Sequence, residues 1–240
     1  MVGRTRTTDK RGRHTCTGTA LLAALGLSLA MLAVPGTAVS ADVAVAPGHQ
    51  PEILASGEPG ALPADRYLGD FYETWLATDL GIGIPDYLFF GPRKVVLAYG
   101  GPAFCTIHQG APVLVEGWAN EISSVEAPFS SDSAVQLQTA RDFDYAVTRS
   151  LTVSVDGGAA VDVRTPQFEA TTTQRTVRLP ANNLFGVDPQ VITLTAHGWL
   201  ATVRGLSAGM HHIVITRVLD FGAGPETFVL DQAVRVTTGS

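Results

Sequence analysis

From Leu68 the apolar positions Phe71, Tyr72, Trp75, Leu76 and Leu80 follow at three- and four-residue steps, which predicts one buried face of a helix. Pro63 suits its first turn, and Gly81, Gly83 and Pro85 end it. Beyond that point the pattern shortens. Residues 87–90, 94–99, 103–108 and 111–118 are apolar or β-branched runs parted by Gly and Pro, and each predicts a strand. Residues 123–133 read as a loop. Ser133 with Gln136 three residues on is a capping-box pattern, and Val135, Leu137, Ala140, Phe143, Ala146 and Val147 give a second, less regular helical stripe.

The last third is β in character. Residues 151–155 alternate, Asp156-Gly157 predicts a tight hairpin turn, and 160–165 returns. Strands are then expected at 171–179, 191–196, 199–206, 213–219 and 228–237, with a loop over 180–189. Short strands separated by Gly-rich turns predict a mostly β fold, an antiparallel sandwich of jelly-roll or Ig-like type, with two helices outside it or at one end. No repeat of 20–50 residues is visible.

The N-terminus carries a different message. Arg4, Arg6, Lys10, Arg11 and Arg13 precede an uncharged apolar run over 20–34, then Pro35, Gly36, Ala38 and Ser40. Basic segment, apolar segment and small-residue site together predict a secretory signal peptide, cut near Ser40-Ala41. The run is short of the roughly 20 residues that span a bilayer, so no stable membrane insertion is expected after cleavage. Residues 41–62, rich in Ala, Pro and Gly, read as a flexible leader, and 63–240 as a single sandwich domain.

Removing the signal sharpens the charge. The chain holds 16 Lys+Arg and 22 Asp+Glu; the signal takes five bases and one acid, leaving 11 against 21, a formal −10. Such acidity disfavours nucleic acid and anionic lipid as partners. Cys16 leaves with the signal, so Cys105 is the one cysteine of the mature sequence and has no second cysteine within it.

Three stretches carry a resemblance: LTVSVDG at 151–157, FEATTTQRTVRLPANNLFG at 168–186 and HGWLATVRGLSAGMHHIVI at 197–215. With the Trp75 helix, VVLAYGG at 95–101 and CTIHQGAPVLV at 105–115, the chain resembles uncharacterised secreted bacterial β-sandwich proteins. They share a "VDG … LP.NN..G … G.W … L..G.H.I" layout. The resemblance spans most of 64–238 and implies the fold and export, with no activity attached. Members often have a second cysteine about seventeen residues after the first; the corresponding place here is near Ile122, so that disulfide is missing.

Candidate chemistry is sparse. Gly205-Leu206-Ser207-Ala208-Gly209 is a literal G-x-S-x-G, yet strand-like residues follow where a nucleophile elbow needs a helix. The reading is a turn between strands, with a convergent triad through His197 or His211 as the alternative. Cys105 and His108 suggest a thiolate–imidazole pair, but three apart on a strand they face opposite ways. His211 and His212 are adjacent and also diverge on a strand, and a hairpin closing at 207–210 would set His197 beside Asp220. Asp142 and Asp144, two apart on a helix, do not share a face. No metal-ligand or cofactor pattern is present, and none is expected. Glu116, Glu121 and Glu126 surround Trp118, an arrangement found in glycan clefts and in ordinary solvated loops alike.

Three classes follow. A non-catalytic secreted binding or cell-envelope domain comes first, meeting a cell-wall polymer, glycan or protein partner through Trp118, Trp199, Asn182 and Asn183 and the loops 120–133 and 180–190. A glycan-acting hydrolase or lyase comes second, with Glu116, Glu121 and His108 as catalytic candidates. A structural or assembly protein pairing through Cys105 or an open sheet edge comes third. Whether the chain is an enzyme is left open, with the balance against it.

Overall fold

The computed structural model describes residues 15–18, 50–81, 89–90, 95–98 and 103–238. The expected cleavage site at Ser40-Ala41 and the apolar run before it lie outside them. The elements in chain order are β1 (Thr15–Gly18), β2 (Glu52–Leu54), α1 (Ala64–Leu76), β3 (Phe89–Phe90), β4 (Val95–Ala98), β5 (Ala103–His108), β6 (Val113–Ser123), α2 (Ser133–Val147), β7 (Thr148–Val155), β8 (Val161–Asp162), β9 (Glu169–Thr171), β10 (Arg175–Arg178), β11 (Val191–Arg204), β12 (Gly209–Leu219) and β13 (Glu226–Thr237).

Two sheets form. One runs β1-β5-β13-β12-β7-β8; the other runs β10-β11-β6-β4-β3, with β2 and β9 also pairing β11. Most neighbours are antiparallel, as the alternating pattern predicts, but β5–β13 and β4–β6 are parallel. The inward residues of both sheets interleave: Ile107, Val113, Val115, Leu151, Val153, Trp199, Ala201, Val203, Ile213, Ile215, Val234 and Val236 make one shared core. The chain is therefore a β-sandwich.

The two helices solve different problems. Helix α1 lays Tyr67, Leu68, Phe71, Tyr72 and Leu76 on the outer face of the second sheet, against Leu114, Ile192, Leu194, Ala196 and Leu200. Rings of Phe71, Tyr72 and Trp75 meet at 4.9–6.3 Å, so the stripe read from the sequence is a packed aromatic ridge. Helix α2 packs on β6 and β11 directly before β7 begins. Ala140 and Val147 of the expected stripe are buried, but their buried companions are the polar Gln136 and Asp144 rather than the remaining apolar positions. The cap also differs. Asp132, not Ser133, is N-cap, accepting from the backbone N–H of Ala134 and Val135 at 2.8 and 3.2 Å. Gln136 instead donates to the carbonyls of Ser130 and Thr193, tying the helix start to β11.

Residues 50–62, read from sequence as a flexible leader, are folded onto the domain. β2 pairs β11, Ala55 enters the shared core, and the Leu62 N–H donates to Thr202 Oγ1 at 2.9 Å. Asp156 and Gly157 both take positive φ, 52° and 71°, and close the β7–β8 turn as their sequence demands. Cys105 is buried and disulfide-bonded, and β1 sets Cys16 across from it in register.

Candidate functional site

The second sheet is pinched where β6 and β11 cross beneath α2. A register shift at Trp199/Leu200 leaves Gly117 as an extra residue in β6. At Gly198 an added Cβ would stand 2.4 Å from the Ala119 Cβ and 2.5 Å from the Trp118 carbonyl, so only glycine fits. Its neighbours His197 and Trp199, two apart on a strand, point the same way, into the sandwich. Trp118 lies opposite Trp199 in register.

These rings meet the polar face of α2. His197 Nδ1 lies 2.7 Å from Asp144 Oδ2, and its Nε2 lies 2.9 Å from Glu169 Oε1. Asp144 Oδ1 accepts the Trp118 indole N–H at 2.7 Å. Glu169 continues outward: Oε1 takes Arg141 at 2.6 Å and Oε2 takes the Tyr145 hydroxyl at 3.1 Å. The result is a hydrogen-bonded relay, Arg141–Glu169–His197–Asp144–Trp118, threaded under one helix. Asp144 and His197 side chains are 0 % exposed. Two short contacts from one imidazole to two carboxylates require two protons between three groups, which leaves neither ring nitrogen open as a base. Burial pushes the Asp144 carboxyl up, and the His197 and Trp118 bonds hold it back.

A second set adjoins. Arg217 of β12 donates to the Glu116 carbonyl at 2.9 Å and stands 3.7 Å from Glu116 Oε1. Burial raises the Glu116 carboxyl to about 7, against the pull of Arg217 and with a further push from Asp144. Glu121 and Glu126 are raised by burial too, Glu121 also by Glu126, while bonds from Ser123 temper Glu126. Tyr72 on α1 is raised by burial and then by Glu121 and Glu116. Several acids thus share a desolvated strip in which Arg217 is the cation that the titrations of Glu116 and Tyr72 register.

Ser207 has company that its sequence did not disclose. Its hydroxyl lies 3.5 Å from His211 Nε2, and His211 Nδ1 lies 2.6 Å from Asp156 Oδ2. The order Ser–His–Asp is that of a triad. The same Nε2, however, lies 2.9 Å from the Ser207 carbonyl, so it donates there and has no lone pair for the serine proton. Asp156 also accepts the His212 N–H at 2.8 Å. The assembly is a staple between the β7–β8 turn and the start of β12.

The residues singled out from the sequence lie in separate parts of the fold. Trp118 is half-buried, with Phe221 against it at 6.1 Å and Arg217 behind it at 6.0 Å. Trp199 is fully buried in the core and presents no surface. Asn183 is also buried; its side chain binds the Pro180 and Val187 carbonyls and two loop N–H groups, which shapes the 180–187 loop rather than a ligand. Asn182 is exposed and holds Asp79 at 2.9 Å. Glu116 and Glu121 lie near Tyr72, whereas His108 stands at the end of β5 in the other sheet, near Thr237, so the three do not converge. Cys105, disulfide-bonded in this structure, and His108 stand three apart on β5 and so face opposite ways. β11 and β12 belong to different sheets, so His197 and Asp220 do not pair; Asp220 binds Arg149 at 3.1 Å. Of the two helix aspartates, Asp144 turns inward and Asp142 outward to Gln138.

Glu169, Tyr145 and Arg164 have no motif to mark them. One signal is present: Gln136, Ala140 and Asp144 recur every four residues, a buried stripe written mainly in polar letters. Among the described residues no group of three or more His, Cys, Asp or Glu is placed to hold a metal ion, and no helix is long and apolar enough to cross a membrane.

No protein-family model matches the chain, and no curated protein sequence does. Among solved structures the chain is matched to one titled "Solution Structure of Amebosin", at 13% identity, over 56% of this chain and 88% of that one, with a TM-score of 0.20.

Proposed function

We propose that the chain is a secreted, non-catalytic binding domain of the cell envelope, and that it meets a glycan or cell-wall polymer along the aromatic rim flanking α2. The observation that carries this reading is a division of labour. Asp144 and His197 are buried and committed, with Glu169, to one another, whereas rings beside them project outward. Phe221 is 48 % exposed and packs on Trp118 and Phe143; Tyr145 is 39 % exposed and packs on Trp199 and His197. Rigid rings anchored from behind suit the apolar faces of sugars, because little side-chain freedom is lost on contact.

The signal-like N-terminus and the resemblance to secreted sandwich proteins support the location. Cleavage at Ser40-Ala41 takes β1, and Cys16 with it, out of the mature protein. Binding of purified 41–240 to a panel of soluble glycans and cell-wall fragments tests the reading. Phe221→Ala should weaken binding about tenfold with folding intact, since a lost ring contact is worth about 1 kcal/mol or more. An unchanged affinity, or no binding to any polymer, would remove it.

A further inference from the structure

Beside the relay stands a cation that it does not use. Among the described residues Arg141, Arg149, Arg175 and Arg217 each face a carboxylate, but Arg164 faces none. Its guanidinium carbon lies 5.6 Å from the centre of the Tyr145 ring and 5.8 Å from that of Trp199. Its bond to the Tyr145 carbonyl is long, at 3.5 Å, and its buried Nε has no partner. Both rings are themselves fixed. The Tyr145 hydroxyl is held by Glu169, and Trp199 is locked in the core. The backbone N–H of Arg164 is held by Asp162 Oδ1 at 2.9 Å, which sets where the side chain starts.

A planar cation pinned by two rings has already lost its rotamer freedom, and its fork is shaped to take a carboxylate through two parallel N–H bonds. Tyr145, 39 % exposed as a residue, stands against that fork and offers its exposed aromatic edge to a sugar ring. On the strength of the binding reading above, we propose that Arg164 and Tyr145 form a carboxylate-receiving subsite, and that the glycan bound here carries acidic sugars. The mature chain's formal −10 repels polyanions at long range. At physiological salt that repulsion fades over about 8 Å, so recognition rests on this local contact. An acidic peptide shares the carboxylate but has no ring to lay on Tyr145, and it serves as a competing probe.

The experiment titrates purified 41–240 with trigalacturonic acid, its methyl ester and a short poly-glutamate peptide, read by calorimetry. The acid should bind at least about tenfold more tightly than its ester, the equivalent of one charge-assisted contact. Arg164→Gln should abolish the difference, and Arg164→Lys, which keeps charge but loses the fork, should recover only part of it. Thermal unfolding of both variants confirms that the fold persists. Equal binding of acid and ester, or a preference untouched by Arg164→Gln, overturns the subsite while leaving the glycan reading standing. Binding of the peptide alone, with neither sugar, overturns the glycan reading and the subsite together.

Discussion

Glu116 makes the protein's stability fall as the solution becomes less acidic. Its carboxyl titrates near 7 in the folded chain against 4.5 as an ordinary side chain, chiefly because burial disfavours the charge. Between those values the folded state binds a proton that the unfolded state has released. Stability therefore declines with rising pH across the window from 4.5 to 7. Two to three units at about 1.4 kcal/mol each give roughly 3 kcal/mol for this one group. Glu121 and Glu126, also raised, add in the same direction. Asp220 acts oppositely, because the Gly222 N–H and Arg149 lower it, but its window lies below the ordinary carboxylate range. The assay is urea unfolding at pH 5, 6, 7 and 8 for the parent and Glu116→Gln. The parent should lose several kcal/mol over that span. The variant should lose roughly 2.5 kcal/mol less over that span. In the variant Arg217 keeps its bond to the Glu116 backbone carbonyl but loses the carboxylate facing it, so the difference in pH slope, not the absolute stability, reports the carboxyl's ionisation. A flat profile in the parent, or parallel profiles in the two proteins, would refute the argument.

The relay under α2 predicts its own cost. Asp144→Ala strips the acceptor from His197 and Trp118 at once and should destabilise by about 3–5 kcal/mol in urea, whereas a loss under 1 kcal/mol would mean the helix is anchored elsewhere. Ser207 should stay unlabelled by a fluorophosphonate while His211→Ala costs about 1–3 kcal/mol, as a staple requires; a labelled Ser207 would instead reveal a reactive triad. Expressed in a secreting host, the chain should begin at Ala41 by mass and carry one alkylated cysteine after reduction, and finding two cysteines would show that the leader is retained.

What the letters of the chain disclose is whatever depends on near neighbours. Asp156-Gly157 announces its turn because two residues alone set that geometry, and the α1 face announces itself because a helix brings every third or fourth side chain together. The strand β11 does not. Its letters read as two strands broken at His197-Gly198, since a histidine and a glycine look like a loop when their surroundings are unknown. The histidine is held by carboxylates 53 and 28 residues away, and the glycine is demanded by β6 crossing against it. The same ignorance hides the polar face of α2 and lets Trp199 pass for a surface ring. Charged residues buried in pairs carry ordinary surface letters, and only the fold reveals that they have left water.

β11 also decides when the molecule can come into being. It borders β6 along one edge and β2, β9 and β10 along the other, so one sheet gathers strands from Glu52 to Arg204 around a single late segment. Until that segment has been synthesised, β2, β9 and β10 lack the strand they pair with, although β3, β4 and β6 can already pair with one another. During synthesis the first three-quarters of the chain waits without a finished sheet. A polypeptide bound for a translocation channel, as proposed for this one, has to pass as an extended thread. Here the late place of β11 in the chain delays completion of this sheet until nearly the last strands emerge.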